Sequence, residues 1–270
     1  MLGKLLKYEF KATGRMMLPF FGALAVLTLA AWTVMTFINT GYSAVLSAVN
    51  GIVLTLYFLS LVATGTVTLI LIVYHFYRSF LSDEGYCTFS LPAGINSQLG
   101  AKLLCAAAWI AATAVLVVLS LLITTSSLGD FLRLPWGEMF ERIYAETGIG
   151  AGSMLGYIFE IALMLMLGAL AVCLVFYASM SLGYGFSNHK VLYSVLIFIG
   201  IGIVTQILGV SVIAGAAVRV GMGYHGVYWS VSPERLAHGV MLGVCAAELV
   251  YCGVFYAVTA LALKRRLNLQ

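Results

Sequence analysis

The chain has 270 residues, of which 62% are apolar and 9% are charged, whereas an ordinary soluble domain carries roughly 25% charged residues. This composition excludes an ordinary soluble fold, and with a formal charge of only +4 no nucleic-acid partner is expected. Six windows contain no charged residue except Glu160 and Glu248, and these windows are 17–38, 53–74, 103–125, 154–179, 191–217 and 239–263.

Each of these windows is long enough to cross a bilayer, because about 20 residues at about 1.5 Å each span hydrocarbon about 30 Å thick. The sequence therefore predicts an all-α integral membrane protein with six transmembrane helices in a single transmembrane domain over 1–270. The spans are expected at about 17–38, 53–77, 98–125, 154–180, 191–217 and 239–263.

The residues before the first span have the pattern of an amphipathic helix. The basic side chains fall in one stripe of a helical wheel, with leucines roughly opposite, and these basic residues are Lys4, Lys7, Lys11 and Arg15. An interfacial elbow helix on the inner leaflet is predicted over 1–16, with membrane lipid as its partner. Glu9 projects from the apolar face, where a lone carboxylate against lipid is costly. We therefore expect this face to meet protein around Glu9.

Pro19 is expected in the opening turn of the first span, where its missing N–H costs no helical hydrogen bond. The basic residues also set the orientation, because they stay preferentially on the cytoplasmic side. Ten of them lie on the face that holds both termini and four on the other face. Both termini are therefore predicted to be cytoplasmic.

The connection from His75 to Lys102 is the longest on the predicted cytoplasmic side. It has turn signals at 83–85 and 92–94, and an apolar cluster beside the acidic pair Asp83 and Glu84. The cluster consists of Phe80, Leu81, Tyr86, Phe89 and Leu91. It indicates a partner surface or a membrane-interface contact, and packing against the helix bundle explains it equally well.

The outer connection 218–238 carries aromatic residues among glycines. Aromatic rings at headgroup depth are the simpler explanation, and a re-entrant segment over an outer vestibule is the alternative.

Two carboxylates lie inside predicted spans. Glu160 is expected about 9 Å and Glu248 about 13 Å from the outer ends of their helices, at about 1.5 Å per residue. Both could line an outward vestibule with Arg219 that favours cationic or amphipathic substrates. The alternative is a structural pair with Arg219 or with hydroxyl groups of a neighbouring helix. The structural pair is favoured for Glu160, whereas the vestibule and the structural pair are equally supported for Glu248.

The motifs of common enzyme sites are absent. No phosphate loop of the form G-x-x-x-x-G-K-[ST] occurs, and neither G-x-S-x-G nor H-E-x-x-H is found. The four histidines, His75, His189, His225 and His238, have no metal-ligand spacing, so no metal site is expected. The chain is expected to be no enzyme and to bind no cofactor itself, and its five cysteines do not indicate an exported disulfide framework.

Three stretches resemble a known family. The segments 5–11 (LLKYEFK), 77–92 (YRSFLSDEGYCTFSLP) and 266–269 (RLNL) are similar to those of bacterial ATP-binding-cassette exporter permeases of the type-two class. The plan of six spans with both ends inside resembles that class over nearly the full length.

The resemblance implies an amino-terminal elbow helix and a coupling helix within 79–94 that docks on a separate ATPase subunit. ATP and Mg²⁺ would then bind to that partner, and a second permease copy, identical or different, would complete the path in the bacterial cell membrane. The residues assigned to the ATPase contact are Phe80, Asp83, Glu84, Tyr86 and Phe89. Re-entrant helices between spans five and six are also implied, matching 218–238.

The expected function is export of an amphipathic peptide, lipid or drug by alternating access. Two other classes stay open on the sequence. A stand-alone secondary transporter or channel would work without nucleotide, and a membrane-embedded sensor or immunity protein would bind a peptide without moving it.

Overall fold

A computed structural model describes residues 2–34, 44–82, 85, 90, 94–125, 137–138, 141, 144–145, 151–186, 189–223 and 233–265. All its long elements are helices, namely α1 (Leu2–Thr33), α2 (Ala44–Phe80), α3 (Ile95–Thr125), α4 (Ala151–Gly183), α5 (Lys190–Gly223) and α6 (Pro233–Arg265). Each helix is long and apolar enough to cross a membrane and overlaps one predicted span. Within the described residues, the prediction of an all-α chain with six helices long and apolar enough to span a membrane is confirmed.

Helix α1 differs from the prediction at its start. The predicted elbow over 1–16 and the first span form one continuous helix, Leu2–Thr33, which is about 48 Å long at about 1.5 Å per residue. Pro19 therefore lies in the helix interior and not in an opening turn, and it removes one hydrogen bond of the helix. The physical reason is that the buried stripe of Thr13, Gly14 and Met17 runs through the expected boundary, so packing continues without a break.

The fold divides into two compact units. The first, called unit 1, consists of Met1–Arg78 and Pro92–Arg142 and contains α1, α3 and most of α2. The second, called unit 2, consists of Ser79–Leu91 and Ile143–Gln270 and contains α4, α5 and α6.

In unit 1, α1 and α3 run parallel. Thr13 contacts Cys105 and Thr28 contacts Ser120, and both pairs are 92 residues apart in the chain. A constant separation means that the two helices advance in the same direction. Helix α2 runs antiparallel to α3, since its later residue Thr68 pairs with Thr113 while its earlier residue Tyr57 pairs with Ser120.

In unit 2, α4 and α6 also run parallel. The Sγ atoms of Cys245 and Cys252 lie 4.0 and 3.8 Å from the backbone oxygens of Glu160 and Leu167, and both pairs are 85 residues apart. The step of seven residues on each helix is the period of left-handed helix packing. The first and third helices are therefore parallel neighbours in both units, although the sequence shows no internal repeat.

The two helices that border segment 218–238 extend into it. Helix α5 runs through to Gly223, and α6 starts at Pro233, where a proline is tolerated because a first-turn residue has no intrahelical acceptor for its N–H. Residues 224–232 lie outside the described part of the chain, and with them the middle of the predicted re-entrant segment.

Candidate functional site

Three ionisable side chains meet where the three helices of unit 1 come together. The Oε1 atom of Glu9 on α1 accepts a hydrogen bond from Lys102 Nζ on α3 at 2.6 Å. The Oε2 atom of Glu9 lies 2.5 Å from His75 Nε2 on α2. We call these three residues the unit 1 ion cluster, and it joins all three helices of the unit.

The sequence predicted that the face around Glu9 meets protein, and these contacts confirm that prediction. The Lys102 side chain is only 3% exposed. A buried ammonium without a partner is strongly unfavourable, and a paired carboxylate removes most of that cost. The Glu9 carboxylate therefore offsets part of the cost of burying Lys102 in an apolar helix.

A chain of weaker polar contacts follows along the seam between α1 and α3. The indole Nε1 of Trp109 donates to Thr13 Oγ1 at 2.8 Å, and the Thr13 hydroxyl donates to the backbone oxygen of Glu9 at 2.8 Å. Trp109 also packs against Phe10 and Phe21 with ring centroids 6.0 and 5.7 Å apart. These contacts fix α1 against α3 next to the ion cluster.

A second polar group lies farther along α3, near its carboxyl end. The Ser120 hydroxyl is 2.7 Å from Thr28 Oγ1 and 2.8 Å from Tyr57 Oη. All three side chains are buried, and together they again join α1, α2 and α3. Hydroxyl pairs of this kind connect helices in an apolar medium where few other partners are available.

Unit 2 contains a carboxylate and a histidine in direct contact. The Nδ1 atom of His238 on α6 lies 2.9 and 3.0 Å from the two carboxylate oxygens of Glu160 on α4. The imidazole is stacked on the Tyr157 ring, with centroids 4.1 Å apart and planes at 3°. Gly156 provides the space, because a Cβ there would lie 3.2 Å from His238 Cε1. We call Tyr157, Glu160 and His238 the unit 2 dyad site.

Glu248 lies ten residues beyond His238 on α6, facing α4. An ideal Cβ on Gly168 would be 3.5 Å from its Oε1 atom. Its Oε2 atom is buried and has no hydrogen-bond partner among the residues that the structure describes. A carboxylate oxygen in this position carries an unmet desolvation cost.

The other predicted site residues fall into two groups. The basic residues Lys4, Lys7, Lys11 and Arg15 are all exposed, on the side of α1 opposite its buried stripe, as the helical wheel predicted. Phe80, the last residue of α2, is fully buried. Asp83, Glu84, Tyr86 and Phe89 and the side chain of Arg219 lie outside the described residues.

Sequence reasoning missed His75, Lys102 and His238 as partners of the carboxylates. In the sequence the histidines show no metal-ligand spacing, and Lys102 contributes only to the distribution of basic residues that predicts the topology. The sequence does contain a signal for these partners. An ionisable group such as Glu9 or Glu160 on the apolar face of a helix is normally paired, which for a carboxylate indicates a basic residue on a neighbouring helix. The basic residues near the span ends were the candidates.

Metal binding has no support within the described ranges, where no three His, Cys, Asp or Glu side chains converge. The four cysteines described there, Cys105, Cys173, Cys245 and Cys252, are not in disulfides.

Comparison of the chain with protein-family models, with curated proteins and with solved structures finds no match in any of the three.

Proposed function

We propose that this chain is the permease subunit of an ATP-driven exporter in a bacterial cell membrane. It forms the path for an amphipathic peptide, lipid or drug and takes its driving force from a separate ATPase subunit that binds ATP and Mg²⁺. A second permease copy, identical or different, completes the assembly. The family resemblance of the cytoplasmic segments and the absence of a phosphate loop in the sequence support this assignment.

One structural observation carries the proposal, namely the length and bracing of α2. Its 37 residues extend about 55 Å at about 1.5 Å per residue, against about 30 Å of hydrocarbon. Near the carboxyl end of α2, His75 is tied to Glu9 and, through it, to Lys102. A displacement applied after Phe80 would therefore reach α1 and α3 through a rigid helix and an ion cluster.

The mechanism that follows is alternating access. Closure of the ATPase subunits displaces the coupling segment 79–94, and α2 carries that displacement into unit 1. Because the ion cluster binds α1, α2 and α3 together at this end, the three helices shift as one body between two discrete arrangements. The basic face of α1, with Lys4, Lys7, Lys11 and Arg15, holds this end against anionic headgroups.

The coupling segment is tested by the double variant Glu84→Ala/Phe89→Ala. We expect the purified variant either to lose a co-purifying ATPase subunit or to retain ATP hydrolysis without transport, because an acidic and an aromatic contact with the ATPase are removed together. The measurement is co-purification from the native host, followed by ATP hydrolysis and transport in reconstituted vesicles.

The matched control is Glu141→Ala/Tyr144→Ala, which removes an exposed acidic and an exposed aromatic residue from the connection between α3 and α4. It should leave both co-purification and coupling unchanged. Coupled transport by the Glu84→Ala/Phe89→Ala variant at the wild-type rate would refute the assignment, as would transport by the wild-type chain without any nucleotide-binding partner.

A place for Glu248 on the path is supported by its buried Oε2 atom, for which the described part of the chain provides no hydrogen-bond partner. We expect Glu248→Gln to lower export of a hydrophobic cation such as tetraphenylphosphonium by about tenfold or more, since one lost charge contact of about 1.4 kcal/mol corresponds to a factor of ten. Uptake into inside-out vesicles measures this, with Glu141→Gln as the control. Unchanged transport of every tested substrate by Glu248→Gln would remove Glu248 from the path.

A second candidate function is favoured by the unit 2 dyad site. Paired ionisable side chains within spans are typical of proton-coupled secondary transporters, and Glu160 with His238 is such a pair. This alternative predicts substrate transport driven by a pH gradient in vesicles that contain this chain alone, without nucleotide.

A further inference from the structure

The contacts of Glu160 leave most of its hydrogen-bonding capacity unused. The Glu160 side chain is 10% exposed and lies in an apolar helix. Its two oxygens offer about four acceptor positions, yet among the described residues a single nitrogen, Nδ1 of His238, serves both oxygens. A cation with two N–H groups would satisfy this carboxylate better than the imidazole does, because each oxygen would then receive its own donor.

The surroundings of His238 complete the chemistry of a cation site. Tyr157 precedes Glu160 by three residues on α4, so the two side chains lie on the same face of the helix. The imidazole lies flat on the Tyr157 ring at 4.1 Å while it contacts the carboxylate. An aromatic face next to a carboxylate is the combination that holds flat, delocalised cations.

A glycine lies against the edge of the imidazole. An ideal Cβ on Gly156 would be 3.2 Å from Cε1 of His238, which is a tight contact, so glycine gives a flat ring between α4 and α6 more room than a larger residue would. The His238 side chain is 25% exposed, and its hydrogen bonds to described residues are made by Nδ1 and not by Nε2. The imidazole is thus held near the start of α6 by its Nδ1 contact, and the opposite edge of the ring is accessible.

From these contacts we propose that Tyr157 and Glu160 form a binding site for a flat organic cation of the amidinium or guanidinium type, and that His238 occupies this site in the absence of such a cation. The incoming cation displaces the imidazole from both the Tyr157 ring and the Glu160 carboxylate. This inference rests on the proposed function only in treating the bound cation as a group of the exported substrate. Binding itself requires neither ATP nor the ATPase subunit.

The test uses p-aminobenzamidine, a flat aromatic amidinium whose fluorescence reports binding in an apolar site. The purified chain in lipid nanodiscs is titrated without nucleotide, and empty nanodiscs give the background. We expect His238→Ala to bind the probe about tenfold or more tighter than wild type, because a tethered competitor acts at an effective concentration in the millimolar range. The gain should vanish in His238→Ala/Glu160→Gln.

The matched control is His75→Ala, which removes a second histidine that contacts a glutamate in the described part of the chain. Glu9 keeps Lys102 in that variant, so no gain in probe affinity is expected. Two results would overturn the proposal, namely equal affinity in His238→Ala and wild type, or a gain that persists after Glu160→Gln.

Stability gives a second measurement if His238→Ala folds poorly. Benzamidine should then raise the yield and the thermal unfolding temperature of His238→Ala, because it replaces the missing partner of Glu160, and it should not do so for His238→Ala/Glu160→Gln. Failure of benzamidine to restore an unstable His238→Ala counts against the site. None of these results depends on ATP-driven export, so the cation site and the exporter assignment can fail independently.

Discussion

Replacing Glu9 by glutamine is expected to destabilise the protein by about 3–5 kcal/mol, the usual cost of removing one partner from a buried ion pair. The Lys102 side chain is 3% exposed and loses its carboxylate in this variant. The free energy of unfolding in detergent, from a denaturant titration, measures the effect. The exposed residue Glu141 provides the control, since Glu141→Gln should change stability by less than about 0.5 kcal/mol.

The double variant Glu9→Gln/Lys102→Met separates the ion pair from a general effect of substitution at this position. Methionine removes the buried charge and keeps an unbranched apolar chain, so most of the lost stability should return. If the double variant is as unstable as Glu9→Gln alone, the cost does not come from the loss of the Glu9 carboxylate beside the Lys102 ammonium.

Replacing Gly183 by alanine is expected to have the second large effect. Gly183 is the last residue of α4, where the start of α5 passes close by. An ideal Cβ there would lie 2.5 Å from the backbone nitrogen and 2.6 Å from the Cα atom of Ser194, and would also overlap the Ser194 hydroxyl. A backbone cannot move aside as a side chain can, so we expect a loss of at least about 1–3 kcal/mol, the usual cost of overpacking.

The matched control is Gly202→Ala in α5. No atom lies within 4 Å of the position that its Cβ would take, and the residue is exposed. Alanine there should be neutral or stabilising by up to about 1 kcal/mol, because glycine is the poorer helix former. Equal unfolding temperatures for the two variants would show that α4 and α5 do not approach each other at Gly183.

Both units pair a glutamate of their first helix with a basic residue of their third helix. Each has a glutamate in the first third of its first helix, namely Glu9 in α1 and Glu160 in α4. Each glutamate is paired with a basic residue near the start of the third helix, Lys102 in α3 or His238 in α6. Because the first and third helices run parallel, their starting ends are adjacent, and a short side-chain contact can close the pair.

Local sequence properties were sufficient for part of the fold. Long apolar segments predicted the six helices, because only a helix satisfies its own backbone hydrogen bonds in an apolar medium. The helical wheel of residues 2–15 also placed Lys4, Lys7, Lys11 and Arg15 on one exposed face and Glu9 on the opposite one. The sequence did not predict that the elbow and the first span form one unbroken helix with Pro19 in its interior, because the burial of α1 continues through the expected boundary.

The partners of the buried charges were decided by the tertiary structure alone. Glu9 meets His75 across 66 residues and Lys102 across 93, and Glu160 meets His238 across 78. An apolar span gives no pattern that selects one neighbouring helix over another, since its surface is apolar on nearly all sides. Composition therefore determined that the chain forms six helices long and apolar enough to cross a membrane. Which basic residue each carboxylate contacts was determined only when parallel helices brought their starting ends together.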